Sequence, residues 1–177
     1  MTPKCWTVSD LMTPVVCCAD LELTLADARD RMAANKIRHL LITRGHLVVG
    51  VLSQRDIDLA EAAAGPGNKA SIEDAMHTDV YACEADTPLG TVCEVLEARK
   101  IGCAIVRRGA RAVGIFTTVD AMRAVRSLLA GEHVPPLSPP THIVPHDEVG
   151  PIARHAVRVG DHVRPRAGDG LLGSVGL

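Results

Sequence analysis

The chain contains two copies of one structural unit. Residues 8–57 and 72–121 of the 177-residue sequence align without a gap at a constant offset of 64 positions, from 8 to 72. Identities at this offset include Asp10 with Asp74, Met12 with Met76, Lys36 with Lys100, Gly50 with Gly114 and Asp56 with Asp120. Insertions collect in loops and would break such an offset. The constant offset therefore indicates that both copies have the same fold. We expect two similar units that pair about a pseudo-twofold axis and carry equivalent sites.

Each copy predicts the element order strand, helix, strand, strand, helix. In the first copy we expect these elements at residues 15–18, 25–35, 40–42, 48–52 and 53–64, with Thr24 capping the first helix. In the second copy, Thr87 is expected to cap a helix that has Pro88 at its first position, followed by strands at 103–106 and 112–116 and a helix at 119–129. The predicted fold class is α/β, with two tandem β-α-β-β-α units at residues 8–66 and 67–130.

The composition changes at Gly131. The last 47 residues hold 7 of the 11 prolines, 7 of the 15 glycines and five of the eight histidines. We therefore expect residues 131–177 to form a Pro/Gly/His-rich tail that is dispensable for the core fold. Residues 156–163 within it are suited to a short hairpin. The sequence leaves open whether the tail packs on the units, contacts a partner or is mobile.

Charge and aromatic content exclude some partners. The formal net charge is −2, and the chain has one Trp, one Tyr and one Phe. Neither a basic surface for nucleic acid or an anionic membrane nor a stacking platform for bases is therefore expected. No apolar run approaches the roughly 20 residues that span a bilayer. The first residues do not have the pattern of a signal peptide, and the expected location is cytoplasmic.

The cysteines and tail histidines predict neither a structural disulfide nor a metal site. The six cysteines include no C-x-x-C pair, and reduced, partly buried thiols are the expectation. The adjacent Cys17 and Cys18 should point to opposite faces of a strand. His142 and His146 have a spacing that suits a metal only on a helix, which Pro145 disfavours. A thiol- or metal-responsive sensor remains an alternative function.

Each copy ends its last strand with a hydroxyl that is followed three residues later by a carboxylate. These residues are Ser53 and Asp56 in the first copy, and Thr117 and Asp120 in the second. The backbone N–H groups of a helix start favour an anion such as phosphate, to which the hydroxyl can also donate. The carboxylate can accept hydrogen bonds from the vicinal hydroxyls of a ribose. The same spacing is typical of a helix cap, and the two roles are compatible.

On these residues the chain resembles a tandem pair of CBS domains, also called a Bateman module, over about residues 8–128. The resemblance is carried by Asp10-Leu11-Met12-Thr13-Pro14, by Lys36-Ile37-Arg38-His39-Leu40-Leu41-Ile42 and by Gly50 with Ser53-Gln54-Arg55-Asp56, together with looser second copies. It implies a regulatory, non-enzymatic module that binds AMP, ADP, ATP or S-adenosylmethionine in the cleft between the units. It also implies a flat homodimer and a protein partner to which the bound state is reported.

The resemblance also implies roles for individual residues. Ser53 with Asp56, and Thr117 with Asp120, would lie at the phosphate and ribose. Residues 13–16 and 37–39 would surround the base in the first site, and residues 78–80 and 101–103 in the second. The residues added to the candidate site on this basis are Val16, Arg38, His39, Val80 and Ile101.

The two copies differ in ways that favour the first site. Arg55 adds positive charge near the phosphate where the second copy has Val119, and Arg38 and His39 are replaced by Gly102 and Cys103. Arg38 and Arg55 could equally be solvated side chains at element ends, and His39 an ordinary packed or surface histidine.

The leading prediction is a module that binds an adenine nucleotide and signals to a partner. The alternatives are a structural or interaction module with empty pockets and the thiol or metal sensor. No P-loop, G-x-S-x-G elbow or H-E-x-x-H motif is present, so an enzyme is not predicted. Homodimerisation through apolar helix faces is expected; the residues are Leu25, Met32, Leu89, Val92 and Leu96, with Leu59, Val125 and Leu128 on the closing helices.

Overall fold

A computed structural model describes residues 6–14, 17–65, 70–130, 151–153 and 157–159. For residues 157–159 it describes the backbone alone. A short 3₁₀ helix at Val8–Asp10 opens the chain. The elements that follow are β1 (Thr13–Pro14), β2 (Cys18–Asp20), α1 (Leu25–Asn35), β3 (His39–Arg44), β4 (Leu47–Ser53), α2 (Gln54–Ala64), α3 (Ile72–Ala75), β5 (Val80–Glu84), α4 (Leu89–Arg99), β6 (Cys103–Arg108), β7 (Arg111–Thr117), α5 (Thr118–Leu129) and β8 (Val157–Val159). None of the helices in these ranges has the length and apolarity that crossing a bilayer requires.

The strands form two sheets with matching topology. The first has the order β2-β3-β4 and the second β1-β7-β6-β5-β8. The pairs β2/β3 and β5/β6 are parallel, whereas β3/β4 and β6/β7 are antiparallel. The antiparallel register shifts after Ile42 in one sheet and after Val106 in the other, which are equivalent positions of the two copies. The repeat in the sequence is therefore a repeat in backbone geometry.

The units pack against each other through their sheets. One face of each sheet is covered by helices, and the other contributes to a shared apolar layer that includes Leu41, Val51, Val80, Ile105 and Ile115. Cys17 lies in the core of the first unit and Cys18 in the shared layer, so their predicted opposite orientation is confirmed. The α/β fold with two paired units is likewise confirmed.

The start of each copy packs on the other unit. Thr13 of β1 pairs with Ile115 of β7, and His77 forms the equivalent bridge with Val51 of β4. Apolar residues just before each bridge are buried in the core of the other unit. Val8 and Leu11 of the first copy lie in the core of the second unit, and Ile72 and Ala75 of the second copy lie in the core of the first. This exchange of segments places residues near 77–80 beside the end of β4.

One helix start differs from the prediction. Helix α4 begins at Leu89, Pro88 occupies the cap position, and no side chain caps the helix there. The backbone of Pro88 is extended (φ −55°, ψ 133°), so it lies just outside the helix, where the missing N–H removes no helical hydrogen bond. Thr24, in the equivalent position of the first copy, caps α1 as predicted.

Part of the C-terminal region joins the units. Ala153 is buried in the core of the first unit, and its N–H donates to the carbonyl of Val48. The N–H of Ile152 donates to the carbonyl of Ala110 in the second unit. Strand β8 pairs in parallel with β5. Of the hairpin predicted for 156–163, only 157–159 lie within the described residues, so it stays a prediction. These contacts argue against the prediction that residues 131–177 are dispensable. Residues 131–150, 154–156 and 160–177 lie outside the described residues.

Candidate functional site

The hydroxyl and the carboxylate of the first unit form a capping box at the start of α2. Ser53 is the last residue of β4, and its extended backbone places its side chain over the first turn of the helix. Asp56 Oδ2 accepts hydrogen bonds from the backbone N–H of Ser53 at 2.8 Å and from Ser53 Oγ at 2.6 Å. The N–H of Asp56 donates back to Ser53 Oγ at 3.2 Å. The capping role is therefore confirmed, and Asp56 Oδ1 lies outside the box.

The second unit repeats this arrangement with a different outer partner. Asp120 Oδ2 accepts from Thr117 N at 2.8 Å and from Thr117 Oγ1 at 2.7 Å. Asp120 Oδ1 lies 3.5 Å from Nη1 of Arg123, one turn further along α5. In the first unit, Asp56 Oδ1 instead accepts from Nε2 of His77 at 3.1 Å. The two carboxylates are thus equivalent in backbone geometry and unequal in what covers them.

A cavity of about 690 Å³ lies between the two units beside Asp56. This volume is in the range of small-molecule sites. Seven of the ten predicted site residues line it: Arg38, His39, Ser53, Arg55, Asp56, Val80 and Ile101. Thr117 and Asp120 occupy the equivalent position in the second unit. Val16 lies outside the described residues.

The allocation of segments to the two sites differs from the prediction. Val80, Ile101 and Cys103, which the resemblance assigned to the second site, line the cavity beside Ser53 and Asp56. Thr13 and Pro14, assigned to the first site, pair instead with β7 of the second unit. The cause is the exchange of N-terminal segments, which brings the start of the second copy to the end of β4. The predicted grouping of Thr13 and Pro14 with Ser53 is therefore wrong, and residues 15 and 16 lie outside the described residues.

Several residues that line the cavity were not predicted. They are Val51, Gln54, Asp58, His77, Tyr81 and Lys100, whereas Asp79, Gly102 and Cys103 had been expected around the second site. Lys100 could have been found, because Lys36-Ile37 and Lys100-Ile101 are identical in the two copies. Both lysines end a helix in the left-handed conformation, with φ values of 54° and 56°. His77 gave no such signal, since the equivalent residue is Thr13.

Burial sets the protonation of two side chains at the junction of the units. It lowers the pKa of His39, against the opposing effect of the carboxylates of Asp56 and Asp120. It also raises the pKa of Cys103 to about 12, with a further contribution from Asp56. His39 and Cys103 are equivalent positions of the two copies. At neutral pH both side chains are therefore expected to be uncharged.

The described residues offer little to a metal ion or to thiol chemistry. No group of three or more His, Cys, Asp or Glu side chains is arranged there to hold a metal. Cys17, Cys83, Cys93 and Cys103 are free cysteines, and burial raises the pKa of each thiol, to about 12 for Cys83 and Cys103. Because the thiolate is the reactive form, these cysteines are poor redox sensors. His142 and His146 lie outside the described residues.

Comparison with known proteins matches this geometry. The CBS domain family model matches residues 8–62 and 72–127, whereas no curated protein sequence matches the chain. A putative acetoin utilization protein (AcuB) from Vibrio cholerae is 30% identical, with a TM-score of 0.61 and coverage of 71% of this chain and 93% of that one.

Two further solved structures bear on possible ligands. The CBS domain pair of protein MJ0100, in complex with 5′-methylthioadenosine and S-adenosyl-L-methionine, is 26% identical with a TM-score of 0.63, and the match covers 70% of this chain and 98% of that one. Hypoxic Response Protein I, with two coordinated zinc ions, is 28% identical with a TM-score of 0.56, covering 67% and 98%. The family match spans most of both repeats, and the chain belongs to the CBS domain family as a tandem pair of CBS domains.

Proposed function

We propose that this protein is a non-enzymatic regulatory module that binds an adenine nucleotide, such as AMP, ADP or ATP, and signals its presence to a protein partner. The observation that carries the proposal is Asp56 Oδ1, which projects beyond the capping box at the wall of the 690 Å³ cavity. A carboxylate in this position can accept hydrogen bonds from both hydroxyls of a ribose.

The rest of the cavity suits the other two parts of a nucleotide. Val51 and Val80 are buried apolar residues that offer a wall for the base. Arg38, Arg55 and Lys100 bring positive charge to the same cavity, as a phosphate requires. The cavity therefore offers apolar side chains, a ribose acceptor and cationic donors, which are the groups that a base, a sugar and a phosphate require.

The ligands bound to the CBS pair of MJ0100 support an adenosine moiety. They do not decide between a phosphate and a sulfonium group. Asp56, Asp58 and Asp79 line the same cavity as the three cationic side chains, so the preference rests on specific partners and not on net charge. Arg38, Arg55 and Lys100 can donate charged hydrogen bonds to a phosphate, which S-adenosylmethionine lacks. We therefore place the adenine nucleotides ahead of S-adenosylmethionine.

The homodimer is a second part of the proposal. Leu25, Met32, Val92 and Leu96, which were predicted from the sequence to contact a second copy, are buried in the core. Large apolar side chains remain exposed on the closing helices: Leu59, Val119, Met122, Val125, Leu128 and Leu129. Apolar patches of this kind mark protein contacts, and a second copy is the proposed occupant. A cytoplasmic location stays a prediction.

Isothermal titration calorimetry with AMP, ADP, ATP and S-adenosylmethionine tests the ligand. The Asp56→Ala variant should bind the preferred nucleotide more than tenfold more weakly, since charged hydrogen bonds are worth on the order of 1.5–3 kcal/mol. Asp56→Asn keeps the shape of the side chain and guards against a folding defect. The matched control is Asp58→Ala, because Asp58 lines the same cavity but pairs with Arg29 at 3.0 Å outside the capping box.

The outcome separates this function from its rivals. A nucleotide that binds only the folded state also raises the free energy of unfolding by mass action, by about 2.7 kcal/mol at a concentration of 100 times its Kd. The melting temperature rises as a result. If none of the four ligands binds or stabilises a folded chain, the module has an interaction role with an empty cavity. Equal losses in the Asp56 and Asp58 variants would contradict the ribose assignment.

A further inference from the structure

The carboxylate of Asp56 is already engaged by the protein itself. Its Oδ2 accepts twice from Ser53 within the capping box. Its Oδ1 accepts a hydrogen bond from Nε2 of His77 at 3.1 Å. A ribose that is to bind Asp56 must therefore use the oxygen that His77 occupies.

His77 can release this contact without a change in the fold. Its N–H donates to the carbonyl of Val51 at 2.8 Å, and its carbonyl accepts from the N–H of Val51 at 2.9 Å. The backbone is thus held on β4 at both of its polar groups. The side chain is 72% exposed, whereas that of Asp56 is only 13% exposed. The imidazole is a movable cover over a carboxylate that is otherwise shielded.

We propose that His77 is a gate on Asp56, so that the ribose of an adenosine-containing ligand binds in competition with the imidazole. This inference rests on the function proposed above and adds a regulatory group to the same site. When His77 is protonated its attraction to Asp56 is strongest, because the contact is then an ion pair. Protonation of the imidazole therefore closes the gate, and loss of the proton opens it.

The second unit provides a contrast within the same chain. Thr13 stands in the position of His77, and the cation beside Asp120 is Arg123 on α5. The Arg123 side chain is 19% exposed, and its Nη2 donates to the carbonyl of Leu11 at 3.3 Å. A guanidinium keeps its charge over the whole physiological range. Of the two carboxylates, Asp56 is the one whose cover responds to pH.

Other groups in the cavity carry charge or titrate, and the test must separate them from His77. They are Arg38, His39, Arg55, Asp58, Asp79, Tyr81, Lys100 and Cys103. His39 is the second imidazole in the cavity, and burial lowers its pKa. Since all eight are unchanged in a His77 variant, the difference between that variant and the native chain isolates His77.

The experiment is calorimetry with adenosine on the full chain at pH 5.5, 6.5, 7.5 and 8.0, comparing the native protein with His77→Thr. Adenosine is chosen because it has no phosphate to titrate in this range. Thr is the residue that the second unit carries in the same place. The native chain should bind roughly two- to fivefold more weakly at pH 5.5 than at pH 8.0, the range expected for one exposed ion pair. The variant should bind equally at all four values, at least as tightly as the native chain at pH 8.0.

Each other outcome overturns the gate in a distinguishable way. A variant that keeps the native pH dependence assigns it to another group, and His39 is then the candidate. A variant that binds more weakly at every pH makes His77 a ligand contact. In both cases the proposed function stands. If adenosine, AMP, ADP, ATP and S-adenosylmethionine all fail to bind the folded native chain at any pH, the proposed function itself fails and the gate with it.

Discussion

The carbonyl oxygen of His77 lies 2.8 Å from the point that a Cβ atom on Gly50 would occupy. The carbonyl of Thr13 stands in the same relation to Gly114, also at 2.8 Å. Each glycine lies where the N-terminal segment of one copy crosses the last strand of the other. Glycine is required here by close approach of two backbones, which real Cβ atoms would prevent. The crossing at Gly50 also holds His77 over Asp56.

Gly50→Ala should destabilise the protein and weaken nucleotide binding. The added methyl group must push the crossing segment from β4, and overpacking of this kind costs typically about 1–3 kcal/mol. Denaturant unfolding and calorimetry with AMP measure the two effects. Gly90→Ala is the matched control, because Gly90 lies in α4 with nothing within 4 Å of its added Cβ. That variant should gain up to about 1 kcal/mol from helix propensity. Equal stability of the two variants would refute the steric argument.

Calorimetry should give one strong nucleotide site for each chain. The second carboxylate is closed by Arg123, and Arg55 has no counterpart beside it. The position equivalent to Arg123 in the first unit is Leu59. Arg123→Leu should therefore reveal a second, weaker site. The melting temperature controls for loss of the hydrogen bond to Leu11. Two equal sites in the native chain would show that Arg123 does not close Asp120.

A chain that ends at residue 130 should unfold at lower denaturant than the full protein. It lacks the buried Ala153 and the backbone hydrogen bonds from the 151–153 segment to Val48 and Ala110, each worth about 0.5–1.5 kcal/mol. A chain that ends at residue 160 retains these contacts together with β8 and should match the full protein. If the two truncated chains unfold together at the midpoint of the full protein, residues 151–159 add no stability.

Light scattering should give twice the 18.7 kDa of one chain at micromolar concentration. Leu128→Glu should convert this dimer to a monomer, because Leu128 is an exposed apolar residue of α5 and a charge in such a contact is costly. Ala33→Glu adds the same charge to the exposed surface of α1 and should leave the dimer intact. A monomeric native chain would contradict the proposed interface.

His39 should make the protein less stable in mild acid. Burial lowers its pKa in the folded state below the value of about 6.5 that an imidazole has in an unfolded chain. Between these two values the unfolded state binds a proton that the folded state does not, so the free energy of unfolding falls as pH falls. His39→Gln should therefore lose less stability than the native chain between pH 7.5 and 5.5. His46→Gln, at an exposed turn, should behave like the native chain. Denaturant midpoints that shift by the same amount in all three proteins would rule out this role.

The sequence alone determined the repeat, the element order and the two capping boxes. These features are local: the spacing of apolar residues sets helices and strands, and Ser53 reaches Asp56 within one helical turn. The constant offset between the copies also predicted that the two units pair about a pseudo-twofold axis. Seven of the ten predicted site residues line one cavity because the motifs that carry them all lie at the ends of strands that face the other unit.

Only the tertiary structure decided which segments share a site. The start of each copy crosses to the other unit, so Val80 joins Ser53 and Thr13 does not. Such a crossing depends on contacts between residues far apart in the chain, as in the bridge of Val51 with His77, 26 positions apart, and the bridge of Thr24 with Ser71, 47 positions apart. The burial of Ala153 and the cover of His77 over Asp56 are long-range contacts of the same kind. Local periodicity contains no record of them, because they arise only when separate elements pack together.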